Sequence, residues 1–324
     1  MRTIRLGRTG VEVPAVGFGT WGHGGPWEAE GHAVGWTGHD DGAATAALLR
    51  GFERGLTHWD TADVYGQGHA ERLIGALWDR VPRQRVFLAT KAGWFAGDFP
   101  HAYHPGNIRR QLDASLANLR SDYLDLYYFH RCDFGPSDRY LDEAVALFRR
   151  LREEGKIRFL GLSDWDGALV ARYAPRVEPD VVQPYRNVID DDYESSGLAA
   201  WVEAHDAGVA FFSPLRHGLL LGKHERPPDF GPGDFRSGVA EFSDPAFLAR
   251  MRACREAVER RFAGHPQPVL HALVGAILAG APTACALLGL RCPRHVEAAV
   301  AVGEPLSPED AAWVRRIYRG EERL

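Results

Sequence analysis

Cysteine is scarce: the 324 residues hold four, at positions 132, 254, 285 and 292. They have neither the paired spacing of a metal site nor the density of a disulfide framework, which points to a reducing compartment. Long apolar runs are missing as well. The longest candidate, residues 269–284, is interrupted by His271, Gly275, Gly280 and Pro282. It falls short of the roughly 20 apolar residues that span a bilayer. The first residues, Met1-Arg2-Thr3-Ile4-Arg5-Leu6, lack the apolar core of a secretory signal. A cytoplasmic location with no membrane partner is therefore expected. A basic excess is absent, since the net charge is -5 and arginines alternate with acids. That excludes a nucleic-acid partner. Neither a Walker phosphate loop nor a G-x-S-x-G elbow occurs. No heptad or isolated apolar helix announces an oligomer interface, so the oligomeric state is not readable.

What is present alternates. Residues 43–54 have a helical pattern, capped near Asp40 or Asp41 and stopped by Gly55. Leu73, Ile74, Leu77 and Trp78 form a helical stripe. Pro105 opens a helix with Ile108, Leu112, Leu116 and Leu119 on its apolar face. Further helices are expected around residues 141–151, 168–173, 198–207, 245–262 and 269–278. Strands are expected at residues 15–18, 56–59, 85–89, 123–129, 157–162, 180–182, 209–212 and 284–288. Eight strands with intervening helices predict a (β/α)₈ TIM barrel over residues 1–324 as one domain. A doubly wound sheet is the competing α/β architecture. Three junctions share one grammar of helix, glycine, strand, at Gly55, Gly155 and Gly208. Residues 3–6 and 11–13 predict an N-terminal β-hairpin. Residues 22–39, rich in Gly, His and Trp, and residues 226–237, rich in Pro and Gly, predict long rim loops over a site.

Two motifs are decoys. Gly17-Phe18-Gly19-Thr20-Trp21-Gly22 fits a dinucleotide fingerprint but opens a glycine-rich stretch that does not continue as a helix. His101 and His104 have no carboxylate partner and are followed by Pro105, so no metal is expected.

Four chemistry-bearing residues follow three strands: Asp60 and, five residues later, Tyr65 after residues 56–59, Lys91 after residues 85–89, and His130 after residues 123–129. A free tyrosine has a pKa of about 10, high for a proton donor at neutral pH. A nearby lysine cation stabilises the phenolate and is expected to lower that value. An aspartate fixes the lysine, and a histidine orients a carbonyl oxygen or relays the proton. Together they suit protonation of an oxyanion formed as hydride reaches a carbonyl carbon.

At these residues the chain resembles the aldo-keto reductase family. The likeness runs from residue 7 to about 301 and is carried by several pieces. They are Asp60-Thr61-Ala62-Asp63-Val64-Tyr65-Gly66 with Glu71, Lys91, Asp125-Leu126-Tyr127-Tyr128-Phe129-His130, residues 155–163, and Ser213-Pro214-Leu215 with Gly218 and Lys223. The resemblance implies a barrel that binds NADP(H) and reduces a small-molecule aldehyde or ketone. Tyr65 would be the general acid, tuned by Lys91 and Asp60, with His130 orienting the carbonyl. Ser163, Asp164 and Gln183 would hold the nicotinamide carboxamide, and Phe212 would stack on the ring. Gly19, Thr20, Trp21 and Asp60 would complete that end. Ser213, Pro214, Leu215, Gly218 and Lys223 match the pyrophosphate segment. Arg236, Gly289, Arg291 and His295 would serve the adenine end, where Arg291 and Arg294 favour a 2′-phosphate. The chain departs from the family at Asp164, Arg186 and Ala299, where Asn, Tyr and Asn are usual. The substrate pocket is expected to be aromatic: Trp21, Tyr65, Trp94, Phe95 and His130, with Tyr103 in the same loop as Trp94. Two alternatives remain open: a cofactor-sensing regulatory subunit without turnover, and a sugar or natural-product dehydrogenase using the same site.

Overall fold

The computed structural model describes residues 2–29 and 31–322. Strands β1 (Thr3–Arg5) and β2 (Glu12–Pro14) pair antiparallel as the expected hairpin. The first barrel strand, β3 (Val16–Gly19), leads into a small rim hairpin of β4 (Glu28–Ala29) and β5 (His32–Ala33). Helices and strands then alternate: α1 (Asp41–Glu53), β6 (His58–Asp60), α2 (His69–Gly75), β7 (Phe87–Ala92), α3 (Pro105–Leu119) and β8 (Leu124–Phe129). Next come α4 (Leu141–Glu153), β9 (Ile157–Asp164), α5 (Gly167–Val177), β10 (Val181–Pro184), α6 (Leu198–His205) and β11 (Gly208–Phe211). Helices α7 (Pro245–Arg261) and α8 (Pro268–Leu278) precede β12 (Ala284–Gly289), and α9 (Pro293–Val300) and α10 (Pro308–Arg319) follow it.

The eight parallel strands β3 and β6–β12 close into a barrel. β9 meets β10 through Gln183 opposite Ser163, and β12 meets β3 through Gly289 opposite Gly19. This is the (β/α)₈ TIM barrel expected from the alternation, not a doubly wound sheet. The barrel interior is filled by Phe87, Leu126, Tyr128, Val181, Ala210, Cys285 and Leu287. Ile4, Leu6 and Val13 of the hairpin join that cluster and close its floor. A second, larger core lies between the strands and the helices.

Local chemistry sets the boundaries. Asp40 caps α1 by accepting from Ala43 N at 2.7 Å. Gly55 and Gly155 take φ of +83° and +72° after their helices, as the junction grammar requires. The third junction differs. Asp206 holds the left-handed φ of +49°, and Gly208 is needed for a close approach instead. A Cβ at Gly208 would lie 2.7 Å from Leu6 Cγ, so the hairpin docks against bare backbone. Helix α2 is shorter than the apolar stripe suggested, and Leu77 and Trp78 follow it in turns. Helices α9 and α10 had no expected counterpart.

Candidate active site

Three of the four expected catalytic residues sit at the C-terminal end of a barrel strand. Asp60 ends β6 and Lys91 lies one residue inside the end of β7. His130 follows β8, its N–H donating to Ala92 O at 2.9 Å. Tyr65 comes back to the same place through the tight turn after β6, where Tyr65 N donates to Ala62 O at 3.1 Å.

Lys91 Nζ is the hub. It donates to Asp60 Oδ1 at 2.5 Å, to Thr61 O at 2.7 Å and to Tyr65 Oη at 3.4 Å. Asp60 Oδ2 accepts from Gln183 Nε2 at 2.8 Å, and Ser163 Oγ donates to Gln183 O at 2.9 Å. The His130 ring stands edge-on to Tyr65, with centroids 6.0 Å apart. Its Nδ1 is buried without a partner among the described residues. Trp21 stacks on the other side of Tyr65 at 6.2 Å.

Burial works against the Lys91 ammonium, but Asp60 and Tyr65 outweigh it and hold its pKa above the usual lysine value. His130 goes the other way. Burial, then Lys91 and Arg131, push its pKa well below the usual value, so the imidazole is neutral at neutral pH. Tyr65 corrects the sequence expectation. Lys91 pulls its pKa down, but burial outweighs that pull and the net shift is upward. The phenol therefore keeps its proton throughout the neutral range.

Two cavities meet at this cluster. The smaller, about 270 Å³, is lined by Trp21, Trp27, Val34, Val64, Tyr65, Trp94, His130, Ser163, Trp165, Gln183, Phe212 and Phe235. The larger, about 630 Å³, runs along the rim past Ser213, Pro214 and Leu215 to Gly289, Arg291 and His295. Trp21, Tyr65, Gln183 and Phe212 line both, so the phenol stands at the junction. Gly19, Thr20, Asp60, Gly218, Lys223 and Arg236 also line the larger cavity, with Arg294 at its cationic end. Desolvation, then Arg236, Arg291 and Arg294, lower the Lys223 pKa, which marks crowded positive charge. The wall is open where a long ligand would need it. A Cβ on Gly289 would meet none of the described residues within 4 Å. Ser213, Arg216, His217 and Gly218 all take positive φ along this wall.

Some expected residues lie elsewhere. Asp164 lines neither cavity. Its carboxylate accepts from Cys132 N at 2.6 Å and Asp166 N at 3.0 Å, which ties the β8 and β9 ends together. Phe95 turns its ring onto Trp27, and its carbonyl accepts from Asn107 Nδ2 at 2.8 Å. Tyr103 is fully buried beneath Gly93, its hydroxyl donating to Arg131 O at 2.6 Å. Arg186 is buried too, paired with Asp191 at 2.7 Å, and Ala299 is packed inside the core. His101 Nδ1 and His104 Nδ1 accept from the backbone of Tyr103 and Gly106. Residues not anticipated are Trp27, Val34, Trp165, Phe235, Trp36 and His217. Trp27, Val34, Trp36 and Phe235 come from the two rim segments, while Trp165 and His217 follow the ends of β9 and β11, so aromatic residues in the rim segments and after strand ends were the readable signal.

The rim loops cover the cavities together. Gly35 bridges Asp234, and the Asp234 carboxylate accepts from Thr37 N at 2.8 Å and Arg236 Nη2 at 2.7 Å. Arg291 Nη2 donates to Thr37 O at 2.8 Å, which fastens the cover to the β12 end.

A parallel eight-stranded barrel with an ion-paired lysine, a phenol and a neutral imidazole at its C-terminal rim defines an oxidoreductase class. A model of the Aldo/keto reductase family matches residues 15–319, and the chain belongs to that family. It is 31% identical to an L-galactose dehydrogenase of Arabidopsis thaliana, over 70% of this chain and 69% of that protein. It is 28% identical to an NADH-specific methylglyoxal reductase of Escherichia coli over the whole of both chains. The structure of a glycerol dehydrogenase from Gluconobacter oxydans superposes with a TM-score of 0.79 at 27% identity, covering 97% of this chain and 94% of that one.

Proposed function

We propose that this single-domain barrel is an NADPH-dependent reductase of aldehydes or ketones, acting in the cytoplasm. The observation that carries the reading is the position of Tyr65, hydrogen-bonded to Lys91 at the meeting point of a long cationic groove and a small aromatic pocket. The groove fits a nicotinamide nucleotide: an aromatic face at Phe212, carboxamide partners at Ser163 and Gln183, and cations at Lys223, Arg236, Arg291 and Arg294. Bound there, the reduced nicotinamide supplies a hydride. His130, neutral and lining the small cavity, orients the substrate oxygen. As the carbonyl carbon gains its new bond, the π electron pair moves to that oxygen, and Tyr65 gives it a proton. Lys91 stabilises the phenolate left behind, and Asp60 holds Lys91 in place. Aromatic walls and the joined rim loops keep water from the developing charge. The direct test follows the loss of reduced-nicotinamide absorbance with a panel of simple carbonyls. Oxidation of NADPH in the presence of a carbonyl supports the reading; cofactor binding with no oxidation by any carbonyl contradicts it.

A further inference from the structure

Four indoles surround the small cavity: Trp21, Trp27, Trp94 and Trp165. Phe235 completes the wall, Phe212 stands at the junction with the groove where the nicotinamide would stack, and no charged side chain lines the cavity among the described residues. Its polar groups gather at one end. Tyr65 and His130 face the place for a single carbonyl oxygen, while Ser163 Oγ donates to Gln183 O, Gln183 Nε2 donates to Asp60, and both residues belong to the nicotinamide end of the site. The Trp21 indole N–H donates to Val34 O at 3.0 Å. An indole offers at most one donor and no acceptor. A second hydroxyl on a substrate would meet at most an indole N–H from Trp27, Trp94 or Trp165 and no acceptor for its own proton, and a carboxylate or phosphate would meet no cation. Galactose, glycerol and methylglyoxal, the compounds in the relatives' names, are small and hydrophilic and do not match this wall.

We propose that the small cavity selects flat, uncharged aromatic carbonyls of one or two rings over polyhydroxylated or anionic ones. The proposal rests on the reductase reading and names its substrate class. Three observations agree on it. The cavity of about 270 Å³ lies just below the usual range for organic ligands, which suits a small one. Trp94 packs 5.1 Å from His130, beside the carbonyl end, where an aryl ring joined to the carbonyl would lie. Trp165, 38% exposed, stands at the mouth with its ring 5.1 Å from Phe212 and 6.2 Å from both Trp21 and Phe235. A large indole left partly in water while it touches three other rings of the cavity offers a stacking face to a ring that enters.

The experiment uses the full chain saturated with NADPH. The kcat/KM for 2-naphthaldehyde and acetophenone is compared with that for glyceraldehyde and glyoxylate. In parallel, binding of 2-naphthylmethanol and of glycerol to the NADP⁺-loaded protein is read by tryptophan fluorescence. An apolar pocket rejects an added hydroxyl by roughly 100-fold. We expect the aryl aldehyde to exceed glyceraldehyde by about that factor or more, and the aryl alcohol but not glycerol to quench the indoles. Trp165→Ala should lower the aryl-to-glyceraldehyde ratio about 10-fold, and Trp165→Phe should restore most of it. Equal or better turnover of glyceraldehyde or glyoxylate overturns the proposal. If no carbonyl is reduced, binding decides. Selective aryl binding keeps the substrate class while the reductase reading fails; no aryl binding overturns the class.

Discussion

Lys91 carries more than one duty, because it is a cation in a buried place. Its ammonium is 2.5 Å from Asp60 and both side chains are almost fully buried. Removing one partner of such a pair strands the other, at a cost of about 3–5 kcal/mol. Lys91→Met is therefore expected to lower the melting temperature sharply. The double variant with Asp60→Asn should recover most of that loss, and equal losses in both would contradict the account. The pH dependence follows from Tyr65 and His130. Tyr65 must carry its proton to act, and burial raises its pKa above the ordinary value of about 10. His130 must be neutral, and its pKa is depressed. Reduction should thus be flat from about pH 6.5 to 9.5, fall on the alkaline side as the phenol ionises, and fall on the acid side only well below pH 6.5, where His130 is protonated. A profile of kcat/KM with a fall centred near neutrality would show that another group governs the step. At this scale the tetrad was legible, because Asp60, Lys91 and His130 close apolar strand segments and Tyr65 follows Asp60 by five residues. The sign of the Tyr65 shift was not, because depth of burial is a tertiary property. Asp164 misled for a related reason. It occupies the position of a family carboxamide partner with Asp in place of Asn, and its carboxylate is consumed by the backbone of Cys132 and Asp166.

Behind the turn that delivers Tyr65, helix α2 brings a second buried cluster. Glu71 accepts from Thr90 Oγ1 at 2.8 Å and Asn118 Nδ2 at 3.0 Å, which binds α2 to β7 and α3. Asp63 lies close to it, with one carboxylate oxygen buried and unpartnered. Burial, then the charge on Glu71, raise the Asp63 pKa well above its ordinary value. A raised folded-state pKa means that this group's stability contribution is fully present below its unfolded pKa, about 4, and is lost as pH rises through the folded value. Asp63→Asn should therefore raise the melting temperature, and the gain should grow between about pH 4.5 and 8. A gain largest at acid pH would reverse the sign. The elements themselves were readable where one residue decides the geometry. Asp40, Pro105 and Gly155 each mark a boundary in the sequence. Gly208 looked the same but is fixed by Leu6, about 200 residues earlier, and no local pattern reveals that approach. The aromatic wall was half legible for the same reason. Trp21 and Trp94 follow strand ends, while Trp27 and Phe235 reach the cavity only because two distant loops join at Asp234.

The whole molecule carries a net charge of -5, yet the larger of the two cavities that meet at Tyr65 ends among Lys223, Arg236, Arg291 and Arg294. Positive charge concentrated in an acidic protein favours a ligand with an extra phosphate. NADPH should bind more tightly than NADH, and the advantage should shrink as salt screens the cluster. Titration of both cofactors at low and high ionic strength checks this. A salt-independent preference, or tighter NADH binding as the name of the Escherichia coli relative implies for that protein, would contradict it. The barrel was the most legible level, since repeated alternation of helix and strand leaves few architectures. The central claim is that Tyr65 donates the proton in carbonyl reduction. Replacing it by phenylalanine keeps the ring that packs on Trp21 and removes only the hydroxyl. NADPH affinity of Tyr65→Phe should match that of the native chain while turnover falls by about 100-fold or more. Turnover that survives the substitution would contradict the account.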